Sequence, residues 1–200
     1  MTQATAADTR EMIISAAFAC FRTRGLAKTT IVDIARTADV SRSTFYEYFR
    51  DKETIVEACA EAASQRFYRN MATAIDRHGG STLEGRLVRA AVFVAQARRG
   101  VEPEVYFDHE EVNLMLTKNA AALLRECAEF LAPYVAAARV TGEVRQDLDV
   151  PSATEWFARM LFSLFTTPSP YFDSHDEEAV ADFVRRYAVA GFDENRSRRS

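Results

Sequence analysis

Helix-start signals follow one another closely at the beginning of this chain, and they constrain its fold more than any other feature. Asp8 with Glu11 and Thr30 with Asp33 match the capping-box pattern, in which two side chains three positions apart satisfy free backbone amides at a helix start. Ser41 is a third helix-capping residue. The spacing of these residues predicts three short helices, one after another, within the N-terminal quarter of the chain.

The rest of the chain continues as long segments without helix breakers. It contains only 7 glycines and 5 prolines among 200 residues, and few breakers favour helix. Further helix starts are expected near four residues: Asp51, Ser81, Pro151 and Asp176. We therefore expect an all-α protein with an N-terminal domain over residues 1–51 and a helical C-terminal domain over residues 52–200.

The second and third expected helices, near 31–37 and 42–48, are joined by a short turn, which is typical of a helix-turn-helix. In that motif the second of the two helices enters the major groove of DNA. The groove admits a helix whose first turn carries small or polar side chains, and four such residues stand here: Ser41, Arg42, Ser43 and Thr44. Arg42 can present a bidentate fork to a guanine edge.

Contacts to the DNA backbone are also expected from this N-terminal segment. Phosphate contacts position a protein without specifying a sequence, and five residues suit them: Thr29, Thr30, Tyr46, Tyr48 and Lys52. Residues 1–52 hold eight lysines and arginines against six acidic residues, whereas the whole chain has a net charge of −4. This distribution favours phosphates near the N-terminal domain rather than the C-terminal one.

Three runs of sequence together resemble the signature of the tetracycline-repressor (TetR) family: Gly25 to Ala35, Ala38 to Ser41, and Thr44 to Glu53. The resemblance is dense over residues 10–56, although the family often has His where this chain has Tyr48. It implies about nine helices, a homodimer, and a C-terminal domain that binds a small-molecule inducer. A repressor of this kind would be released from an inverted-repeat DNA operator when the inducer binds.

A two-fold homodimer is expected, because closed two-fold symmetry is the commonest arrangement of oligomers. We expect its interface on the last two long helices. A single reading helix covers few base pairs, so two heads on an inverted repeat are needed for affinity. The candidate interface residues are Trp156, Met160, Leu164, Val180, Val184, Tyr187 and Gly191.

Aromatic and sulfur-containing side chains of the C-terminal domain are candidates for lining the inducer site: Phe67, Met71, Phe93, Tyr106, Phe107 and Trp156. Each one alone is more often plain core, but a group of them in such a domain is expected to line a cavity. Their character favours a lipid-like or aromatic inducer over a sugar. No cofactor or metal is expected, since His109 and Glu110 lack the second histidine of a zinc-protease motif.

Two other classes of function fit the sequence less well. An enzyme built on a helical bundle would need converging titratable groups, and none stands out, so no catalytic residue is expected. An architectural DNA-binding protein without an effector would not need so large a C-terminal domain. No apolar run is long enough to cross a bilayer, and the N-terminus does not resemble a secretory signal. We therefore expect a cytoplasmic protein without contact to the membrane.

Overall fold

The computed structural model describes residues 5–97, 119–167 and 169–192. Within these ranges every regular element is a helix: α1 (Ala6–Arg24), α2 (Ile31–Thr37), α3 (Arg42–Tyr48), α4 (Lys52–His78), α5 (Leu83–Ala97), α6 (Ala120–Thr141), α7 (Val150–Thr166) and α8 (Glu177–Phe183). A π-helical turn, Val184–Ala188, continues α8. The all-α prediction is confirmed. None of the helices described is both long and apolar enough to cross a membrane.

The first helix begins one turn earlier than the sequence pattern suggests. Its N-cap is Thr5, whose hydroxyl accepts from the Asp8 amide at 3.3 Å, while the Asp8 carboxylate accepts from the Thr5 amide at 2.9 Å. Asp8 is therefore the third helical residue, and the expected box of Asp8 with Glu11 is wrong. The Thr5–Asp8 pair forms because Thr5 lies in the extended region, which frees its side chain to fold over the first turn.

The other caps of the N-terminal domain are confirmed. Thr30 and Asp33 form a reciprocal capping box at the start of α2. The Thr44 amide donates to Ser41 Oγ at 2.9 Å at the start of α3. The Thr54 amide donates to Asp51 Oδ1 at 2.9 Å at the start of α4.

Caps in the C-terminal part agree less closely with the sequence pattern. Asp176 caps α8, as expected. Helix α5 is capped by Thr82, which accepts from the Gly85 amide at 3.2 Å, rather than by Ser81. Helix α7 begins at Val150 behind the N-cap Asp149, one residue before the expected Pro151.

The described residues fall into two compact units, which divide between Phe67 and Tyr68. We call the described residues up to Phe67 the head and those from Tyr68 the body. The head has one apolar core of α1, α2, α3 and the first turns of α4, to which Ile55, Ala58 and Cys59 belong. Because this core takes in part of α4, the packed unit extends past residue 51. The functional boundary at residues 51 and 52 stays a prediction.

In the body, α7 packs against α6 and α5, and α8 packs against α5. The chain turns sharply between α4 and α5, where a Cβ on Gly85 would lie 2.1 Å from the carbonyl oxygen of Gly79. Only glycine allows that approach, since real Cβ contacts are never so short.

Candidate nucleic-acid interface

Helix α3 is anchored by two phenylalanines on its inner side. Phe45 is 0% exposed and Phe49 is buried beside it, with 5.7 Å between the ring centroids. Residues four apart lie on one face of a helix, so these two side chains define which face points inward. The guanidinium of Arg10 lies over the Phe49 ring at 5.4 Å and ties the start of α1 to this anchor. The remaining face of α3 is presented to solvent.

The first turn of α3 carries small and polar side chains. Ser41, Arg42 and Ser43 are exposed, and Thr44 is half-buried. Ser41 Oγ lies 2.7 Å from Ser43 Oγ and 2.9 Å from Thr44 Oγ1, so one hydroxyl organises the others. No ion pair among the described residues engages the Arg42 guanidinium. This turn can therefore present an unpaired guanidinium and several hydroxyls to a ligand.

The turn between α2 and α3 fixes the angle at which α3 leaves the head core. Asp39 has a φ of +54°, in the left-handed region that Asp tolerates better than most residues. The amide of Asp39 donates to the Arg36 carbonyl at 3.2 Å, and the Val40 amide donates to the Ala35 carbonyl at 3.0 Å. These bonds close the turn tightly and set the direction in which α3 leaves α2.

Asp33 links α1 and α2 through its carboxylate. It accepts from the Thr30 amide and hydroxyl at 3.1 and 2.6 Å, forms an ion pair with Arg24, and pairs with Arg36 at 2.9 Å. The bonds from Thr30, followed by the bond from Arg24, lower the pKa of Asp33 to about 2. The sequence pattern identified the cap at Thr30 but missed both arginines. The Arg24 pair depends on the packing of α1 against α2, whereas the Arg36 pair is a local contact within α2.

Acid is expected to destabilise the head. Besides Asp33, the Thr54 amide and hydroxyl lower the pKa of Asp51 from 3.8 to about 2. A carboxylate whose pKa is depressed by folding stabilises the fold above its unfolded pKa, and loses that contribution as the pH falls through the folded value. The urea midpoint of head amide signals in NMR spectra should therefore fall between about pH 4 and pH 2. Asp51→Asn, which cannot titrate, should show a smaller fall; an equal fall would contradict this explanation.

Thr29 does not lie where a phosphate contact requires it. Its side chain is 1% exposed, and its hydroxyl is directed at two backbone carbonyls of the head, Gly25 at 2.8 Å and Cys20 at 3.2 Å. The predicted phosphate role of Thr29 is therefore replaced by a structural one. The neighbouring Thr30 is exposed, and so is Tyr46, whereas Tyr48 is half-buried.

The Lys52 ammonium is already bonded to the protein. Nζ donates to the backbone carbonyls of Leu26 at 2.6 Å and of Ala27 at 3.3 Å. Both acceptors belong to the loop between α1 and α2. The sequence pattern predicts a phosphate contact for Lys52. It does not predict the bonds to Leu26 and Ala27, because these depend on the tertiary structure.

Of the predicted inducer-site residues, Met71 is fully buried in the body, and Phe67 and Phe93 are half-buried. Tyr106 and Phe107 lie outside the described residues. Trp156 is 54% exposed, and its indole N–H donates to the Ala188 carbonyl at 3.0 Å. This surface position fits the predicted interface role of Trp156 and argues against a role in an enclosed ligand site.

The predicted dimer interface divides into exposed and buried residues. Leu164, Val180 and Val184 are buried within the chain, so they belong to the body core and cannot contact a partner. Tyr187 is 63% exposed, Gly191 is exposed and Met160 is half-buried.

The π-helical turn explains the division on α8, because its wider winding rotates Tyr187 away from the face of the valines. Tyr187 thereby joins an aromatic row that sequence analysis missed. The ring centroid of Phe183 lies 5.1 Å from that of Phe172 and 5.6 Å from that of Tyr187.

The head also matches known proteins in sequence. The family profile described as bacterial regulatory proteins, tetR family, matches residues 13–59, from α1 through the first turns of α4. The head therefore matches the tetR family over these residues. This confirms the predicted family, and it supports the prediction that the chain is a regulator rather than an enzyme.

An individual relative agrees with this match to the tetR family. The HTH-type transcriptional regulator TtgR of Pseudomonas putida is 41% identical over 61 residues, which are 30% of this chain and 29% of TtgR. The match thus spans less than a third of the relative's length.

Similarity of fold extends over most of the chain. A TetR/AcrR-family regulator of Thermobifida fusca has a TM-score of 0.61 at 20% identity, and covers 90% of this chain and 98% of its own. FadR of Bacillus subtilis, solved in complex with stearoyl-CoA, has a TM-score of 0.58 at 20% identity. The likeness covers 91% of this chain and 98% of FadR. These likenesses show that the body shares the fold of tetR-type regulators.

Proposed function

We propose that this chain is a dimeric transcriptional repressor that reads an inverted-repeat operator with α3 and is released by a small-molecule inducer. The observation that carries the proposal is the exposed polar first turn of α3 on a helix anchored by Phe45 and Phe49, within the segment that matches the tetR family. In a helix-turn-helix, the N-terminal residues of the reading helix meet base edges in the major groove. The match of this segment to the tetR family supports both the DNA-binding role of α3 and its N-terminal turn as the part that meets the bases.

Within this proposal, side chains of the head divide into base-reading and phosphate-binding groups. Arg42 reads a guanine, and Ser43 and Thr44 meet neighbouring base edges. Ser41 holds their hydroxyls in place. The phosphate contacts come from three hydroxyl-bearing residues of the head: Thr30, Tyr46 and Tyr48.

Replacing Arg42 tests the base-reading assignment. Arg42→Ala should cost about 1–3 kcal/mol of binding free energy at one base position and relax the preference there, because a bidentate contact to guanine is lost. Competition binding against duplexes with each base substituted in turn measures that preference. Arg36→Ala is the matched control, since Arg36 is exposed on α2 and paired with Asp33. An unchanged base preference in Arg42→Ala would overturn the assignment.

The homodimer forms through the exposed side of α7 and the π-helical end of α8. Trp156, Met160, Tyr187 and Gly191 are the exposed or half-buried residues of the predicted interface. Exposed aromatic residues that lie close together are typical of interface cores. The indole of Trp156 is fixed by its bond to Ala188, so little side-chain entropy is lost when a partner covers it.

The inducer binds in the body and favours a conformation with weaker operator affinity. A ligand shifts such an equilibrium only by its differential affinity for the two conformations. Met71 and Phe93 remain the candidate contacts within the body, and their apolar character supports a lipid-like or aromatic ligand. The stearoyl-CoA complex of FadR supports long-chain acyl-CoA thioesters as the first compounds to test.

A thermal-shift screen of acyl-CoA thioesters, fatty acids and planar aromatic compounds tests the inducer proposal. A ligand that binds only the native state raises the melting temperature, and an inducer should also weaken operator binding by about 5–150-fold. Phe93→Ala should reduce the thermal shift but keep operator affinity without ligand. Tyr171→Ala, at a strongly exposed position, is the control. An undiminished thermal shift in Phe93→Ala would remove that residue from the site.

A further inference from the structure

Three hydroxyl groups in the first turn of α3 lie within hydrogen-bonding distance of one another. Ser41 Oγ is 2.7 Å from Ser43 Oγ and 2.9 Å from Thr44 Oγ1. The same Ser41 oxygen accepts from the Thr44 backbone amide at 2.9 Å. Ser41 therefore takes part in three hydrogen bonds at once, and it links the hydroxyls of Ser43 and Thr44.

The capacity of a hydroxyl group limits how these bonds can be arranged. A hydroxyl has one hydrogen to donate and two lone pairs that accept. The Thr44 amide occupies one lone pair of Ser41 Oγ, so a single lone pair remains for the two neighbouring hydroxyls. One of these hydroxyls must then donate to Ser41, and the other must accept the hydrogen of Ser41.

While these bonds hold, Ser43 and Thr44 are not equivalent toward an outside ligand. The hydroxyl that donates to Ser41 has no free hydrogen, so it can only accept from a ligand. The hydroxyl that accepts from Ser41 keeps its own hydrogen and can donate it. Rotation of the three hydroxyl hydrogens exchanges these roles. Either Ser43 or Thr44 can therefore donate to a ligand, but the two cannot donate together.

We propose that Ser41 couples the base preferences of Ser43 and Thr44 and thereby makes two operator positions interdependent. The inference rests on the proposed reading of DNA by α3. Guanine and thymine present acceptors in the major groove, which need a hydroxyl hydrogen, whereas the amino groups of adenine and cytosine donate. An acceptor opposite Ser43 thus disfavours a second acceptor opposite Thr44. Ser41 is a positioning residue, because it determines specificity through the hydrogens of its neighbours.

A matrix of duplexes tests this coupling in the wild-type chain. The parent duplex is one recovered by binding-site selection. The positions read by the two hydroxyls are those whose base preference changes in Ser43→Ala and in Thr44→Val. Affinity is then measured for every combination of bases at these positions. The effect of changing both bases should differ from the product of the single effects by about 2–10-fold, which is the worth of one hydrogen bond.

Two substitutions of Ser41 should shift the base preference in opposite directions. Both Gly and Asp are accepted at a helix N-cap. Ser41→Gly removes the shared oxygen, so both hydroxyls can donate, and acceptors become favourable at both positions. In Ser41→Asp the carboxylate accepts from both hydroxyls, so the amino groups of adenine and cytosine become favourable at both. The added charge of Ser41→Asp weakens all duplexes alike and leaves the ratios between them unchanged.

The coupling itself should disappear in both variants, since neither shares a hydrogen between the two hydroxyls. Ser41→Thr keeps the hydroxyl and should retain the coupling, which makes it the matched control. Head amide signals in NMR spectra show whether each variant is folded. If Ser41→Gly does not fold, the shift in Ser41→Asp decides the question.

Other results overturn the proposal. Independent base effects in the wild-type chain would show that the hydroxyls share no hydrogen on DNA. Coupling that persists in both Ser41→Gly and Ser41→Asp would assign it to the deformability of the duplex. Unchanged base preferences in Ser43→Ala and Thr44→Val would remove both hydroxyls from base reading. A wild-type chain that selects no duplex would instead contradict the proposed function itself.

Discussion

Phe45→Ala should destabilise the head by about 3–5 kcal/mol, the usual cost of truncating a fully buried phenylalanine. The side chain is 0% exposed, and its ring contacts Phe49 and the edge of Tyr46, with centroids 5.7 and 5.8 Å apart. Small domains are stable by only about 5–15 kcal/mol, so this loss is a large fraction of the head's stability. DNA binding should disappear with it, because Phe45 anchors the reading helix.

Two probes measure the effect of Phe45→Ala separately in the two units. Urea unfolding followed by head amide signals in NMR spectra should shift to lower urea, while emission of Trp156, the single tryptophan, reports on the body. Tyr46→Ala is the control, because Tyr46 adjoins Phe45 but is exposed. It should change head stability by less than about 1 kcal/mol. A head that unfolds at the wild-type urea concentration in Phe45→Ala would contradict the packing described for α3.

Tyr187→Glu should convert the dimer into a monomer and weaken operator binding by about 10²–10⁴-fold, because the avidity of two linked heads is lost. Tyr187 is 63% exposed in the single chain, so the substitution should leave the fold intact. In the dimer, however, the new carboxylate would be buried without a partner, which is strongly unfavourable. Analytical ultracentrifugation at micromolar concentration measures the mass, and fluorescence anisotropy measures the affinity.

Val140→Glu is the matched control for Tyr187→Glu. Val140 lies on α6, is 84% exposed, and gains the same negative charge. It should remain dimeric with wild-type affinity for the operator. A Tyr187→Glu chain that sediments as a dimer would contradict the proposed interface, whereas a monomer with full operator affinity would contradict the two-headed reading of DNA.

Features set by local sequence could be predicted for the head. The caps at Thr30, Ser41 and Asp51 form between residues three positions apart, so a sequence pattern contains all the information that they need. The inward position of Phe45 and Phe49 follows from their spacing of four residues. The reading helix and its polar first turn were therefore accessible without a structure.

Features that depend on tertiary packing could not be predicted. Lys52 meets a loop 26 positions earlier in the chain, and Arg24 meets Asp33 from a different helix. Neither pairing leaves a local pattern. Thr29 and Thr30 are adjacent hydroxyl residues, yet one is buried and the other exposed.

The body shows a different limit of sequence reasoning. A helical period of 3.6 residues placed Val180, Val184 and Tyr187 on one face, but the π-helical turn after Phe183 changes that period. The two valines are buried in the core, whereas Tyr187, inside the turn, is exposed. Core and ligand-site aromatics are also alike in sequence, since both recur on the inner faces of helices. The inducer-site residues therefore stay a prediction.

Binding-site selection from random duplex DNA tests the central claim most directly. The wild-type chain should enrich an inverted repeat whose half-sites lie about one helical turn, or a multiple of it, apart. Each recovered duplex should bind two chains or a multiple of two, as sedimentation of the complex would measure. Recovered duplexes without a shared sequence, or complexes with a single chain bound, would contradict the proposal of a dimeric, operator-reading repressor.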